Sequence, residues 1–366
     1  MKIVADQNMP LVQELFGQFG EVKLLPGRDI CADTIAGADM LLVRSVTRVN
    51  ENLLSGSSIK FVGSATAGID HVDTDYLAKK NIHFAYAPGC NAQAVVEYVL
   101  SALCNLCPEW QCKTVGIVGC GHVGGRLYQC LQYLGVNTRV YDPFLVSEAI
   151  PDLCVFEDLY DCDIISLHTP LTFDGPYPTF HLFDQEVLSR LNPQSILINT
   201  SRGEVLDNQA LLRMLSAGKK LKVVLDVWEG EPNVNQDLLD LVSIATPHIA
   251  GYSDQGKIRG TSMLLEAALA FYSVSQQYSV SDFVNHKPVK LELNSMRLGD
   301  ALLASFDVTE NDRNFRHALE SSTLSVSEIF DNLRKGYPQR NEYSCFLVSQ
   351  KHLCSSQLVA LGFGTF

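Results

Sequence analysis

Thr114-Val115-Gly116-Ile117-Val118 runs directly into Gly119-Cys120-Gly121-His122-Val123-Gly124, and a helical stretch follows through Leu134. Between a strand and a helix, G-x-G-x-x-G divides its work by position. Gly119 permits the tight turn, Gly121 lets the backbone approach a pyrophosphate, and Gly124 allows close helix packing, while the helix N-terminus offers N–H groups and positive dipole to the phosphates. Asp142 closes the next strand, Thr138-Arg139-Val140-Tyr141. It lies about 20 residues past the loop, where a carboxylate accepts from ribose hydroxyls and repels a 2′-phosphate. NAD is therefore the expected cofactor, held by Gly119, Gly121, His122, Val123, Gly124 and Asp142, and Arg139 beside the acid keeps NADP as the alternative. Ordinary turn glycines are the bland reading, against which strand, helix and acid together weigh. His122 reads as solvent-facing rather than catalytic.

The same rhythm recurs along the chain. From Lys113 onward, strand candidates fall at 114–118, 138–141, 164–167, 196–199, 223–226 and 243–245, separated by helical patterns, as in a doubly wound nucleotide-binding domain. Before it, short apolar runs at 2–5, 21–25, 40–43, 60–64 and 82–85 alternate with helical stretches and predict a second parallel α/β sheet. Pro88-Gly89-Cys90-Asn91 interrupts that alternation ahead of a long helix from Ala92 to about Leu106, and a second long helix from Asp254 to about Gln277 reads as the return. With 366 residues, too many for one ordinary core, the expected division is a substrate domain of residues 1–91 and 254–281, a nucleotide-binding domain of 92–253, and an appended domain of 282–366. In the last, only alternation over Val289-Lys290-Leu291-Glu292-Leu293, an amphipathic helix near 312–320 and apolar runs at 345–348 and 358–361 stand out. Such a small α+β domain builds little core, so oligomerisation, a homodimer, is its expected role.

Charge and cysteine usage narrow the partners. With 28 basic against 41 acidic residues the net charge is −13, which argues against nucleic acid or an anionic membrane. No apolar run approaches the roughly 20 residues of a membrane helix, and Met1-Lys2-Ile3-Val4-Ala5-Asp6 reads as a strand, not a leader. Eleven scattered cysteines fit a reduced cytoplasm better than a disulfide framework. Cys104 and Cys107 have C-x-x-C spacing, but inside an apolar helix they read as buried structural thiols, and no metal is expected.

Three polar residues stand at strand ends of the nucleotide-binding half: Arg202 after Asn199-Thr200-Ser201, Glu231 in Asp226-Val227-Trp228-Glu229-Gly230-Glu231-Pro232, and His248 in Thr246-Pro247-His248-Ile249-Ala250-Gly251. Ligands of open α/β sheets bind beyond the carboxyl ends of the strands. Oxidising a hydroxyl beside a carboxylate needs a proton acceptor, a group that orients it and a fork for the carboxylate. His248, Glu231 and Arg202 suit these roles in turn. A surface arginine, a loop acid and a capping histidine are the bland readings of each alone.

This order of motifs resembles the signature set of the D-isomer-specific 2-hydroxyacid dehydrogenases over nearly residues 1 to 280. The resemblance implies that Arg202, Glu231 and His248 are the catalytic trio and that NAD is contacted at Thr169, Thr200, Ser201, Arg202, Asp226 and Gly251. His168 reads as structural. In the first half, Arg44, Ser45 and Thr47 of Val43-Arg44-Ser45-Val46-Thr47 offer a cation and two hydroxyls to a phosphate, with a surface ion pair the alternative for Arg44. That run, together with Gly63-Ser64-Ala65-Thr66-Ala67-Gly68-Ile69-Asp70-His71, Ala-Pro-Gly-Cys-Asn-Ala, Gly251-Tyr252-Ser253 and the appended C-terminal domain, is similar to the erythronate-4-phosphate dehydrogenase branch. What that similarity implies is oxidation of a phosphorylated four-carbon hydroxyacid at C2 in pyridoxal phosphate synthesis, substrate contacts at Ser45, Thr66 and Tyr252, and a dimer through the C-terminal domain. A 3-phosphoglycerate or glycerate dehydrogenase would carry the same cofactor loop and trio, and an NAD-sensing corepressor of this fold is the reading from another class.

Overall fold

The computed structural model describes residues 1–148, 150–284, 287–292 and 297–366, so Leu293 of the expected alternating run lies outside the described residues. The chain divides into two compact units, one of residues 1–91 with 252–287 and one of 92–251 with 288–366.

The first unit is a five-stranded, all-parallel sheet of Lys2–Asp6 (β1), Glu21–Leu25 (β2), Met40–Val43 (β3), Phe61–Ser64 (β4) and His83–Tyr86 (β5), in the order β2-β1-β3-β4-β5. Alternation along the strands decides why both faces are covered. Ile3, Ala5, Met40, Leu42 and Phe61 pack with Leu15, Phe16, Leu264, Leu265 and Ala268. Val4, Leu41, Val43 and Val62 face the other way, onto Ile30, Ile35, Leu53, Leu54 and Leu77. The return helix is Asp254–Tyr272, capped by the Ser253 hydroxyl, and it ends five residues earlier than its apolar pattern suggests because Ser273 turns left-handed at φ 54°.

The second unit is built on six parallel strands: Val115–Val118 (β6), Thr138–Tyr141 (β7), Ile164–Leu167 (β8), Ile196–Asn199 (β9), Lys222–Leu225 (β10) and Ile244–Ala245 (β11). Their order is β11-β10-β9-β8-β6-β7, and a parallel bridge from Val140 to Leu153 continues the ladder outside β7. The chain leaves β6 towards one edge and resumes at β8 on the other side, which makes the gap between β6 and β8 the switch point where such sheets open a crevice at their carboxyl ends.

Beyond residue 287 the chain is richer than its sequence pattern suggests: helices Leu298–Ser305, Val308–Ser321, Val326–Lys335 and Ser355–Leu361 accompany a three-stranded parallel sheet of Val289–Lys290 (β12), Phe346–Val348 (β13) and Gly364–Thr365 (β14). Phe315, Ile329 and Phe330 belong to the same core as Leu197, Leu225 and Trp228, so this segment is packed on the nucleotide-binding sheet. Asp312 accepts from the Ala245 N–H at 2.7 Å and holds Arg316, whose guanidinium also reaches the Leu239 and Val242 carbonyls. Edge strand β11 is thereby given partners that an open edge lacks.

Candidate active site

The glycines of the loop after β6 are explained by what a side chain would meet. Gly119 has φ +85° and its Cβ would lie 2.9 Å from Thr169 Cγ2 and 3.0 Å from the His168 carbonyl; a Cβ on Gly124 would lie 1.9 Å from the Gly119 carbonyl oxygen. A Cβ on Gly121, by contrast, would have nothing within 4 Å among the described residues, and none of their side chains caps the helix His122–Tyr133 that starts beside it. A free space thus stands in front of uncapped N–H groups, the arrangement that takes a phosphate. His122 is exposed and Val123 half-buried at this end.

Asp142 reaches back from β7, its Oδ2 accepting from Cys120 N at 2.9 Å and its Oδ1 from Phe144 N at 3.1 Å. Arg139 donates to the Asp158 carbonyl at 2.6 Å, an engagement that favours NAD over NADP. After β8, His168 is half-buried and hydrogen-bonded through Nε2 to Ser166 at 2.8 Å, and desolvation pushes its pKa down to about 3. It is a neutral structural ring. Its neighbour Thr169 carries a buried hydroxyl with no partner among the described residues, an orphan that a ligand at the switch point would satisfy. Thr200, half-buried after β9, lies 3.5 Å from His168 Nδ1.

The loop of Arg202 is tied internally. Asn199 Oδ1 accepts from Ser201 N at 3.0 Å and from Ser201 Oγ at 2.8 Å, while Asn199 Nδ2 donates to the Arg202 carbonyl. The next residue, Gly203, is pressed on the backbone after β10; a Cβ there would lie 2.0 Å from Trp228 C and 2.4 Å from Glu229 N. Only a residue without a side chain lets the Arg202 and Glu231 loops approach so closely.

His248 Nδ1 and Glu231 Oε1 are 2.5 Å apart. Burial works to raise the Glu231 carboxyl, but the charge and hydrogen bond of His248, with Arg334 and the Trp228 N–H, outweigh it and hold the group below its ordinary range. The histidine sits at φ 55°, a left-handed conformation that costs a β-carbon residue on the order of 1 kcal/mol. Asp226 holds it there. Its carbonyl accepts from His248 N at 2.7 Å, and its carboxylate, 1% exposed, accepts from Thr246 Oγ1, Ile249 N and Ala250 N at 2.7, 2.7 and 2.9 Å. Burial raises the Asp226 pKa, with His248 and those three donors opposing. The bonds of Asp226 therefore run to the histidine loop, a job the sequence reading did not give it. Gly251, half-buried, ends that loop.

Sequence reasoning also missed a pair beside the trio: His181 Nε2 and Glu229 Oε1 are 2.8 Å apart, linking the loop that begins at Thr169 to the loop of Glu231, and Glu229 Oε2 accepts from Asn208 N at 3.2 Å. His181, Asp207 and Glu229 lie far apart in sequence, and no spacing signal unites them.

In the first unit, Arg44 is half-buried and Ser45 exposed at the end of β3. Thr47 corrects an expectation: it is 3% exposed and its hydroxyl donates to the Gly27 carbonyl at 2.7 Å, so it anchors the loop and offers nothing to a phosphate. Thr66 Oγ1 bonds the Gly68 carbonyl and Ser64 Oγ, which continues to His71 Nε2, at 2.8, 2.7 and 2.8 Å. Tyr252 is half-buried beneath Lys257, whose Nζ lies 5.7 Å from the ring centroid and 3.9 Å from Asp254 Oδ1. Burial lowers the Lys257 pKa, Asp254 opposes and Arg44 adds to the lowering. Arg44 and Lys257 thus bring two positive charges near each other, and Lys257, one turn into a helix, gave no sequence signal of it. None of the eleven cysteines forms a disulfide, and Cys104 is buried and pushed up to about 11 by burial.

Residues 100–250 match the D-isomer specific 2-hydroxyacid dehydrogenase, NAD binding domain, and residues 284–362 match a domain of unknown function. The chain is 45% identical over 377 residues to the erythronate-4-phosphate dehydrogenase of Cellvibrio japonicus, covering 99% of each chain, and 47% identical over 375 residues to that of Pectobacterium carotovorum, covering 99% and 98%. Among solved structures, a 3-phosphoglycerate dehydrogenase of Entamoeba histolytica with bound NAD+ superimposes with a TM-score of 0.65 at 25% identity, over 78% of this chain and 99% of that one. A D-lactate dehydrogenase of Aquifex aeolicus complexed with NAD and lactic acid gives 0.62 at 23% identity, over 75% and 96%.

Proposed function

The chain belongs to the erythronate-4-phosphate dehydrogenase family of NAD-dependent D-isomer specific 2-hydroxyacid dehydrogenases, and from that premise we propose that it oxidises 4-phospho-D-erythronate at C2 to 2-oxo-3-hydroxy-4-phosphobutanoate. The observation that carries the mechanism is the 2.5 Å bond between His248 Nδ1 and Glu231 Oε1. With Glu231 held ionised, the proton of the ring stays on Nδ1, and Nε2 is left as the base that takes the C2 hydroxyl proton. Arg202 binds the substrate carboxylate and stabilises charge developing on the C2 oxygen.

NAD, when bound, supplies the acceptor for the hydride leaving C2. Gly119, Gly121, His122, Val123 and Gly124 hold its pyrophosphate, Asp142 its ribose, and Thr169, Thr200, Ser201, Arg202, Asp226 and Gly251 complete the set; the free space at Gly121 and the orphaned Thr169 hydroxyl support this assignment. Ser45, Thr66 and Tyr252 bind substrate, and Arg44 with Lys257 takes its phosphate. The enzyme works in pyridoxal phosphate synthesis, in a reduced cytoplasm in keeping with cysteines that form no disulfide, as a homodimer joined through residues 282–366.

NADH formation with 4-phospho-D-erythronate, compared with 3-phospho-D-glycerate and D-glycerate, tests the substrate. A preference for the four-carbon ester is expected. Faster turnover of phosphoglycerate would overturn the substrate and leave the chemistry; NAD binding without turnover of any acid would point to a sensor.

A further inference from the structure

We infer that Arg340, contributed by the C-terminal segment, is a positioning residue for the catalytic histidine loop, which makes that segment a working part of the active site. The inference rests on the reading of His248 as the base and goes beyond it by giving the C-terminal segment a task at the histidine loop besides joining two protomers.

Arg340 is 5% exposed. One arm, Nη1, donates to the Ala250 carbonyl at 3.1 Å and the other, Nη2, to the Ala94 carbonyl at 2.7 Å. Its guanidinium lies 3.6 Å from the centroid of the Phe306 ring. Ala250 is two residues past His248, and its N–H is already bound by Asp226 at 2.9 Å. The residue is thus gripped from both sides, by Asp226 at nitrogen and by Arg340 at oxygen. Since His248 is kept in a left-handed conformation, the bonds that fix the backbone after it also fix the direction of the ring.

The grip has its own support. Glu97, fully buried on the helix Ala92–Leu106, lies 3.7 Å from Arg340 Nη2 and accepts from Tyr343 N at 2.8 Å and from Gln93 Nε2 at 3.0 Å. Gln93 Oε1 in turn accepts from Arg126 Nε at 2.9 Å, on the helix that opens at the cofactor glycines. One buried polar cluster therefore connects the histidine loop, the C-terminal segment and the cofactor helix. Reaching two carbonyls on separate segments calls for a planar fork, which lysine lacks although it keeps the charge that Glu97 and the buried Glu342 require.

The test is Arg340→Lys in the full-length enzyme. Expected are a kcat lowered roughly ten- to hundredfold with 4-phospho-D-erythronate, the cost of a misplaced base, a Kd for NAD within about twofold of wild type, and faster amide hydrogen exchange in the peptide holding Ile249 and Ala250, with the peptide of residues 119–124 unchanged. The exchange arm stands without any substrate: a wild-type enzyme that fails to turn over the phosphoacid defeats the proposed reaction, while unchanged exchange at Ile249 and Ala250 defeats the role of Arg340. Wild-type kcat in an active variant would overturn it too. So would a kcat loss matched by lost NAD affinity and faster exchange at residues 119–124, because that pattern marks general loosening.

Discussion

Replacing Gly121 by alanine should separate folding from cofactor binding, and the geometry fixes how large each effect is. At Gly121 the backbone has φ −76° and ψ −144°, beyond the usual β region though negative in φ, and the added methyl meets nothing within 4 Å among the described residues. Apo stability should therefore fall by no more than about 1 kcal/mol, the strain of a β-carbon in that region. The methyl nevertheless occupies the space through which the pyrophosphate must approach the helix N-terminus, so affinity for NAD should fall at least tenfold, about 1.4 kcal/mol or more. Gly124→Ala is the contrast: its methyl would lie 1.9 Å from the Gly119 carbonyl oxygen where ordinary contacts begin at 3.4 Å, and the helix must move away from its strand. Overpacking of this kind costs about 1 to 3 kcal/mol with or without cofactor.

Thermal unfolding with and without NAD reads both. At a hundredfold excess over Kd the cofactor stabilises wild type by about 2.7 kcal/mol, which for 366 residues is a rise of roughly 3 to 4 °C in Tm. Gly121→Ala should lower the apo Tm by no more than about 1 to 2 °C and lose about half of that rise or more at the same NAD concentration. An undiminished NAD-dependent rise in Gly121→Ala would refute the assignment of this space to the pyrophosphate.

Three other expectations are independent of it. Glu231→Gln should lower kcat by roughly a hundredfold or more while the NAD-dependent rise in Tm persists, because the ring loses its charged partner and cofactor residues are untouched; an unchanged kcat would remove Glu231 from the mechanism. Glu97 is lifted from 4.5 to about 7 by burial, with Arg340 opposing and Glu342 adding, so its contribution is fully present below about pH 4.5 and is lost as pH rises through about 7. Urea unfolding should show Glu97→Gln gaining roughly 3 kcal/mol relative to wild type between pH 4.5 and pH 8, and parallel pH profiles for the two proteins would contradict that shift. Lys257→Met should raise KM for 4-phospho-D-erythronate about tenfold or more, the worth of a charge-assisted bond, and leave the weak use of unphosphorylated D-erythronate unaltered; equal effects on both acids would exclude a phosphate role.

What the sequence carried plainly was whatever depends on residues close together in the chain. Gly119, Gly121 and Gly124 constrain one turn and one helix start, so spacing alone reveals them, and Arg202, Glu231 and His248 each follow an apolar strand run. The bonds of Asp226 to residues 246, 249 and 250, the His181–Glu229 pair and the proximity of Arg44 to Lys257 join segments remote in sequence, and no periodicity encodes them. The C-terminal segment divides differently. Ser325 and Glu328 form a capping box ahead of Ile329, Phe330 and Leu333 at helical spacing, a signal present in the sequence. Strands β12 and β14 have two residues each, too few for an alternation to register.

Two carboxylates serve one histidine, and their environments divide the work. Asp226 sits in the interior with three donors on its oxygens, so its strength is spent on backbone N–H groups and it sets where residues 248–250 run. Glu231, on a half-exposed loop, keeps Oε1 for the ring and sets which nitrogen carries the proton. Exchanging the roles would fail on physical grounds. A carboxylate whose pKa burial raises is a poor partner for a ring that must become cationic, and a half-exposed one gives less to backbone donors already in reach of water. On the proposed mechanism Asp226 and Arg340 hold the position of the base, Glu231 holds its proton on Nδ1, and turnover needs both, since a correctly protonated ring in the wrong place and a well-placed ring of the wrong tautomer are equally unable to take the hydroxyl proton.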